Sequence, residues 1–265
     1  MYYIFGGRYI PVYGLAITIG CGVGLLVGYY LVKRNHLSTD DFFLSAAYTA
    51  GGGFVGAKLL YLWVSRNGIQ WDRFFELEYF KMIMSGGFVF YGGLIGGLVG
   101  LWCAGKIHRI YVRDYISVCI PAVPLIHGFG RIGCGLAGCC YGIPYDGLFA
   151  VKYTNSVAAP LNISLFPVQY LEAFLNFIIS LVLFILVIKK GNDIKNFYLY
   201  LILYCAVRFV LEFFRYDETE RGIWKGFSTS QWISITIFIA VAVLMLVHKR
   251  FRKSVKRKKK NDRSQ

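Results

Sequence analysis

The sequence predicts an all-α polytopic membrane protein with about seven transmembrane helices, the N-terminus outside, the C-terminus inside and a small external cap. Three observations predict it. Hydrophobic residues fill 57% of the 265 positions, and aromatic residues 18%, more than a soluble domain of this size carries. The apolar residues fall in runs of about 20, the length a helix needs to cross the hydrocarbon of a bilayer. Lys and Arg collect at alternate ends of those runs, as they do when every second connection stays on the cytoplasmic side.

The expected spans are, in order, Pro11–Val32, Asp41–Val64, Gly86–Ala104, Tyr115–Leu136, Pro167–Ile188, Phe197–Phe214 and Thr229–Val247. Residues 1–247 read as one seven-span domain, and residues 248–265 as a basic cytoplasmic tail. The apolar stretch after Arg8 is long enough to span and lacks a small-residue cleavage site, so it reads as the first helix rather than a signal peptide. Ser65 to Ser85 mixes Trp71, Phe74, Phe75, Tyr79 and Phe80 with charged residues, the composition of an amphipathic element lying at an interface. Tyr141 to Phe166 holds Pro144, Pro160 and several polar residues and reads as the external cap.

Orientation follows from the cations. Ten of the 29 Lys and Arg residues lie in the last seventeen positions. With that tail inside, the inner segments hold eighteen cations and the outer ones eight, while Lys58, Arg131 and Arg208 fall within spans. The net charge of +15 is therefore a membrane-anchoring feature directed at anionic headgroups, and nucleic-acid binding is not expected.

Within this greasy chain the informative residue is Arg131, in the run His127-Gly128-Phe129-Gly130-Arg131-Ile132-Gly133-Cys134. A guanidinium keeps its charge at any depth and needs an anionic partner there. Glycines such as Gly130 let a backbone or a ligand come close, so a phospholipid phosphate is the expected partner. Arg208 and Glu212 are four apart and share a helix face; they are either a self-neutralised pair or the charged wall of a cavity. His127 lies one turn before Arg131 and is a candidate base, with hydrogen-bonded packing as the alternative. In the second glycine run, Gly86 to Gly97, helix packing explains Gly92 and Gly93, and Tyr91 is placed to present its hydroxyl to a headgroup. Gln169 and Glu172 open the fifth span, where a carboxylate bonds another helix or a nearby arginine.

The seven cysteines form no disulfide framework. Cys21, Cys103, Cys119 and Cys205 lie in apolar runs as small core residues. Cys134, Cys139 and Cys140 cluster. A structural zinc site takes four ligands, usually in paired motifs, so no metal is expected. A thiolate beside Arg131 is one reading of the trio, because a cation lowers a thiol pKa; inert packing is the other.

These residues resemble the prolipoprotein diacylglyceryl transferase family. The resemblance covers most of the chain. It rests on Ser85-Gly86-Gly87 with Tyr91-Gly92-Gly93-Leu94-Ile95-Gly96, on His127-Gly128-Phe129-Gly130-Arg131-Ile132-Gly133, on Pro167-Val168-Gln169, on Arg208-Phe209-Val210-Leu211-Glu212-Phe213-Phe214-Arg215, and on Ser228 to Ser234 with Gln231. It implies a multi-pass enzyme of the bacterial cell membrane that needs no cofactor. Its partners would be phosphatidylglycerol and the lipobox of a prolipoprotein signal peptide. Arg131, Arg208, Glu212, His127 and Tyr91 would be catalytic. Arg131, Gly92, Gly93, Gly130, Gln169, Cys134 and Cys139 would hold the lipid. The chain departs from the family pattern where Tyr91 replaces histidine, Cys134 asparagine, Cys139 glutamate and Lys58 arginine. Those departures keep two other functions open: a phospholipid-dependent transferase with another acceptor, and a lipid-binding or transport protein without catalysis.

Overall fold

The computed structural model describes residues 2–5, 8–216 and 222–261. Helices dominate, and strands occur as short antiparallel pairs ahead of the first helix and in the connections. The chain divides into two compact units, residues 1–31 with 117–265, and residues 32–116.

The unit of residues 32–116 is built on two helices, α2 (Thr39–Val64) and α4 (Phe90–Ile107). α2 starts where the Ser38 hydroxyl accepts the Asp41 amide at 3.2 Å, and Asp40 and Asp41 in its first turn suit the positive end of the helix dipole. α2 and α4 meet backbone to backbone. A Cβ added to Gly56 would lie 2.3 Å from the Gly92 carbonyl oxygen, and one added to Gly96 would lie 2.2 Å from that of Gly52. Small residues permit such an approach in a membrane, where dispersion replaces the hydrophobic effect as the force between helices. Gly96→Ala is therefore expected to push the pair apart and to cost about 1–3 kcal/mol, the usual price of overpacking. Thermal unfolding in detergent checks this, and an unchanged midpoint would contradict the contact.

Between those helices runs the expected amphipathic element. A 3-10 turn (Trp71–Arg73) leads into α3 (Leu77–Ser85). Arg73 pairs with Glu76 at 2.9 Å and Lys81 with Glu78 at 3.0 Å, while Phe75 and Leu77 stay exposed. Lys58, expected within a span, is buried and fully engaged. Its Nζ donates to the carbonyls of Ile83 at 3.0 Å, Gly87 at 3.2 Å and Gly86, and it sits over the Phe88 and Tyr61 rings. It satisfies carbonyls that the end of α3 leaves without helical partners.

The other unit holds α1 (Val12–Arg34, through Leu31), α6 (Ala122–Ala137), α7 (Val168–Lys190), α8 (Lys195–Leu211) and α9 (Thr229–Asn261). α6 packs on α7, α7 on α8, and α8 on α9. The glycines of α6 seat aromatic rings: Gly128 faces Phe177 and Gly135 faces Tyr170. α7 is inside out. Gln169, Glu172, Asn176 and Ser180 recur along one helical face and are buried, whereas Phe174, Ile178, Leu181 and Ile185 are exposed. That distribution belongs in lipid rather than water. The expected cap folds around buried Tyr153, Ala159 and Leu165, with β1 (Val151–Lys152) paired to β2 (Ser164–Leu165).

Among the described residues, three helices are long and apolar enough to cross a membrane, namely Val12–Arg34, Val168–Lys190 and Lys195–Phe214. They coincide with the first, fifth and sixth expected spans. The fourth is corrected: Tyr115–Leu136 is not one helix but α5 (Val112–Cys119) and α6, which together pass as a bent fourth span. The break falls at Ile120 and Pro121, where the proline has no amide to continue the helix. Tyr91–Ile107 and Thr229–Met245 are shorter apolar helices in the third and seventh positions, and α2 occupies the second. The helical backbone of α9 continues into the expected tail as far as Asn261; the last four residues and the tail side chains lie outside the described residues.

Candidate functional site

Five ionic side chains meet in the core of the second unit described, and a carboxylate is their centre. α6 brings Arg131, α7 brings Glu172, and α8 brings Arg208 with Glu212 one turn later in a 3-10 extension. Glu172 is 2% exposed. Its Oε1 lies 3.0 Å from Arg131 Nε, and its Oε2 accepts a hydrogen bond from Arg208 Nη1 at 3.3 Å. The Arg131 contact is an ion pair rather than a well-directed hydrogen bond. Arg208 also reaches Glu212 at 2.9 Å through Nη2, and the same nitrogen donates to Ser230 Oγ on α9 at 3.1 Å. Arg215 stands 3.7 Å from the Glu212 carboxylate.

The charges do not cancel. Three guanidiniums (Arg131, Arg208, Arg215) face two carboxylates (Glu172, Glu212). Guanidiniums keep their charge in proteins, and both carboxylates are ion-paired to them. The cluster keeps one surplus positive charge in a buried setting. A singly charged phosphodiester complements it, by hydrogen bonds stronger than neutral ones.

Beside the cluster lies a turn that folds cysteines back on the end of α6. Gly138 closes the helix in the left-handed conformation, φ +72°. A Cβ there would meet Ser156 Cβ at 2.5 Å, so only glycine is accommodated. The turn returns the Cys139 amide to the Cys134 carbonyl at 3.1 Å. Gln169 of α7 fastens it from the other side, its Nε2 donating to the Cys139 carbonyl at 2.9 Å. The next residues run against the segment after α8: Ile143 donates to the Phe214 carbonyl at 3.0 Å and Tyr216 to that of Tyr141 at 3.1 Å. Hydrogen bonds from Cys134 and then Cys139 hold the Cys140 thiol below its ordinary value against the effect of burial, and the positive charges of Arg131 and Arg215 act the same way. Tyr153 of the cap donates to the Gly135 carbonyl at 2.9 Å; burial pushes its pKa up to about 12, so it stays a neutral donor.

The structure thus brings together Arg131, Arg208 and Glu212, with His127 at their edge. His127 Nε2 is 3.7 Å from the Glu172 carboxylate and its ring rests against Tyr204. Gln169, Cys134 and Cys139 form the adjoining turn. Gly130 faces Ile17 of α1. Tyr91, Gly92 and Gly93 belong to the other unit, on the first turn of α4, where Gly92 serves the contact with α2. Sequence reasoning paired Glu172 with another helix or a nearby arginine without placing it in the site, and named Arg215 only within the motif that begins at Arg208; both are members of the cluster. The available signal for Glu172 was its i, i+3 spacing from Gln169 on an otherwise apolar helix, which puts both on the buried face.

Comparison with known proteins follows the same residues. The sequence pattern of the prolipoprotein diacylglyceryl transferase family matches residues 2–247, a range that includes every ionic residue of the cluster. The chain is 35% identical over 242 residues to a protein of Clostridium tetani named phosphatidylglycerol–prolipoprotein diacylglyceryl transferase, covering 91% of this chain and 94% of that protein. It is 31% identical over 248 residues to the second such transferase of Clostridium perfringens, covering 93% of each. A third relative of that name, from Dehalococcoides mccartyi, is 28% identical over 92% of this chain and 91% of its own. A match from one end of the helical body to the other, with the buried arginines inside it, leaves one conclusion: the chain belongs to the prolipoprotein diacylglyceryl transferase family.

Proposed function

We propose that the chain transfers the diacylglyceryl group of phosphatidylglycerol to the lipobox cysteine of a prolipoprotein. The observation that carries this reading is the surplus positive charge of the Arg131–Glu172–Arg208–Glu212–Arg215 cluster, buried among helices whose outward faces are apolar. The bond broken is the one between the glyceryl carbon and the phosphate oxygen. Its electron pair leaves with glycerol phosphate. The incoming cysteine sulfur forms a thioether with that carbon, and its proton passes to a base.

In this reading Arg131 and Arg208 hold the phosphodiester and stabilise the charge that grows on the leaving phosphate. Glu212 orients Arg208 from 2.9 Å away, and Glu172 spaces the two guanidiniums. His127 or Tyr91 takes the thiol proton. Gln169, Cys134, Cys139 and the backbone at Gly92, Gly93 and Gly130 line the lipid. The protein spans the bacterial plasma membrane several times, with the N-terminus out, the cap outside, and residues 248–265 a basic tail on the inner leaflet. Seven spans follow if α2, α4 and α9 cross as well.

The test supplies purified full-length protein with phosphatidylglycerol vesicles and a lipobox peptide. The expected result is a peptide carrying thioether-linked diacylglycerol and one glycerol phosphate released per peptide. Vesicles whose anionic lipid is replaced by phosphatidylcholine are expected to support far less turnover. No modified peptide under conditions where the Clostridium tetani relative works would overturn the proposal.

A further inference from the structure

The transferase chemistry just described leaves three sulfurs without a task beyond lining. The Sγ atoms of Cys134, Cys139 and Cys140 all lie within 4.8 Å of one another, and no histidine or carboxylate among the described residues joins them. They are free thiols. The sequence groups the three but leaves Cys139 more than one helical turn beyond Cys134, so the meeting of the sulfurs is a feature of the fold.

The convergence is built. Gly138 at φ +72° reverses the chain, and Cys140 is itself left-handed at φ +55°. That pair of residues carries the two following sulfurs back over the last turn of α6. The Cys139 amide to Cys134 carbonyl bond closes the loop from within, and Gln169, 2% exposed, fixes it from α7. Cys134 is buried, and its two partners are half-buried, so the site is sheltered but open on one side.

We infer that Cys134, Cys139 and Cys140 form a three-sulfur binding site for a soft monovalent cation, copper(I) being the ion that fits. A three-coordinate ion with metal–sulfur bonds of about 2.3 Å sets its sulfurs about 4 Å apart, so the three must close by less than about 1 Å to bind. Thiolate donors select soft ions. A structural zinc site takes four protein ligands, and the fourth is missing among the described residues, whereas copper(I) is satisfied by three sulfurs. Hard cations such as magnesium and calcium take oxygen donors, which this trio does not offer. Binding displaces up to three thiol protons, one for each sulfur that ligates as thiolate. The resulting negative charge lies one turn of α6 from the guanidinium-bearing Arg131.

The site stands on sulfur geometry and is read without any transferase assay, so its failure and the failure of the proposed activity are separate results. The experiment titrates the reduced full-length chain, in detergent and without oxygen, with copper(I) held by a chromophoric chelator. One copper per chain is expected, with an X-ray absorption spectrum of a three-coordinate, sulfur-only site. Cys134→Ser and Cys139→Ser are expected to weaken binding by more than about tenfold. A chain in which Cys21, Cys103, Cys119 and Cys205 are replaced by alanine is expected to bind as the natural chain does. If the serine variants fold poorly, judged by their circular dichroism, the natural chain's spectrum and the four-alanine chain decide. Binding that survives replacement of all three clustered cysteines, a spectrum with nitrogen or oxygen ligands, or a folded natural chain that cannot compete with the chelator would each overturn the inference.

Discussion

Replacing Glu172 with alanine is expected to unfold the helical core before it does anything subtler. The carboxylate is 2% exposed and stands between Arg131 and Arg208. Removing it leaves two buried guanidiniums facing each other with less counter-charge. Breaking a buried pair in this way costs about 3–5 kcal/mol, because the remaining charge has no water to return to. Thermal unfolding in detergent is the direct measurement. Glu172→Gln keeps the shape and one hydrogen-bond acceptor, so a smaller loss is expected. Under conditions where the alanine variant stays folded, its turnover is expected to fall about 10²-fold, the cost of positioning groups displaced by an ångström. A variant as stable and active as the natural chain would show that the two arginines are held by something else.

Arg131→Ala is the second large effect. If the guanidinium stabilises the departing phosphate, its removal is expected to lower kcat/KM by about 10²–10³-fold, as loss of one donor to a developing oxyanion does. Arg131→Lys tests the kind of contact. A lysine preserves the charge and loses the planar fork, so it is expected to recover only a small part of the activity. Cys140→Ala, in the adjoining turn, is expected to lose less than Arg131→Ala. The comparison is made on initial rates of peptide modification at matched folded fractions. Equal rates for Arg131→Ala and the natural chain would remove this residue from catalysis.

The legible and illegible parts of this molecule divide along a physical line. Whatever depends on neighbours in sequence could be read. The apolar runs of α1, α7 and α8 announce themselves by length and composition. Arg208 and Glu212 pair at 2.9 Å as their four-residue spacing requires. The glycine run of α4 packs against α2 as small residues do. Pro121 is different: it is plainly visible, yet the apolar residues on both sides read as one continuous span. The break shows that local geometry can override a hydropathic pattern. What depends on tertiary meeting could not be read. Glu172 is one carboxylate among apolar residues until α6 and α8 are placed beside it. Lys58 is one cation in a span until the end of α3 offers it three carbonyls. The thiol trio exists because Gly138 adopts a positive φ, which no spacing of cysteines encodes.

The apolar outer face of α7 carries one more consequence, for heat. A water-soluble bundle coheres largely because association removes oil-like surface from water, and that contribution weakens on cooling. Here Phe174, Ile178, Leu181 and Ile185 point outward while Glu172, Asn176 and Ser180 point in. Prising α7 from α6 and α8 inside a bilayer would wet little new apolar area. The separation should therefore carry a small heat-capacity change, and the bundle's cohesion, resting on dispersion, hydrogen bonds and ion pairs, should hold nearly level as the membrane chills.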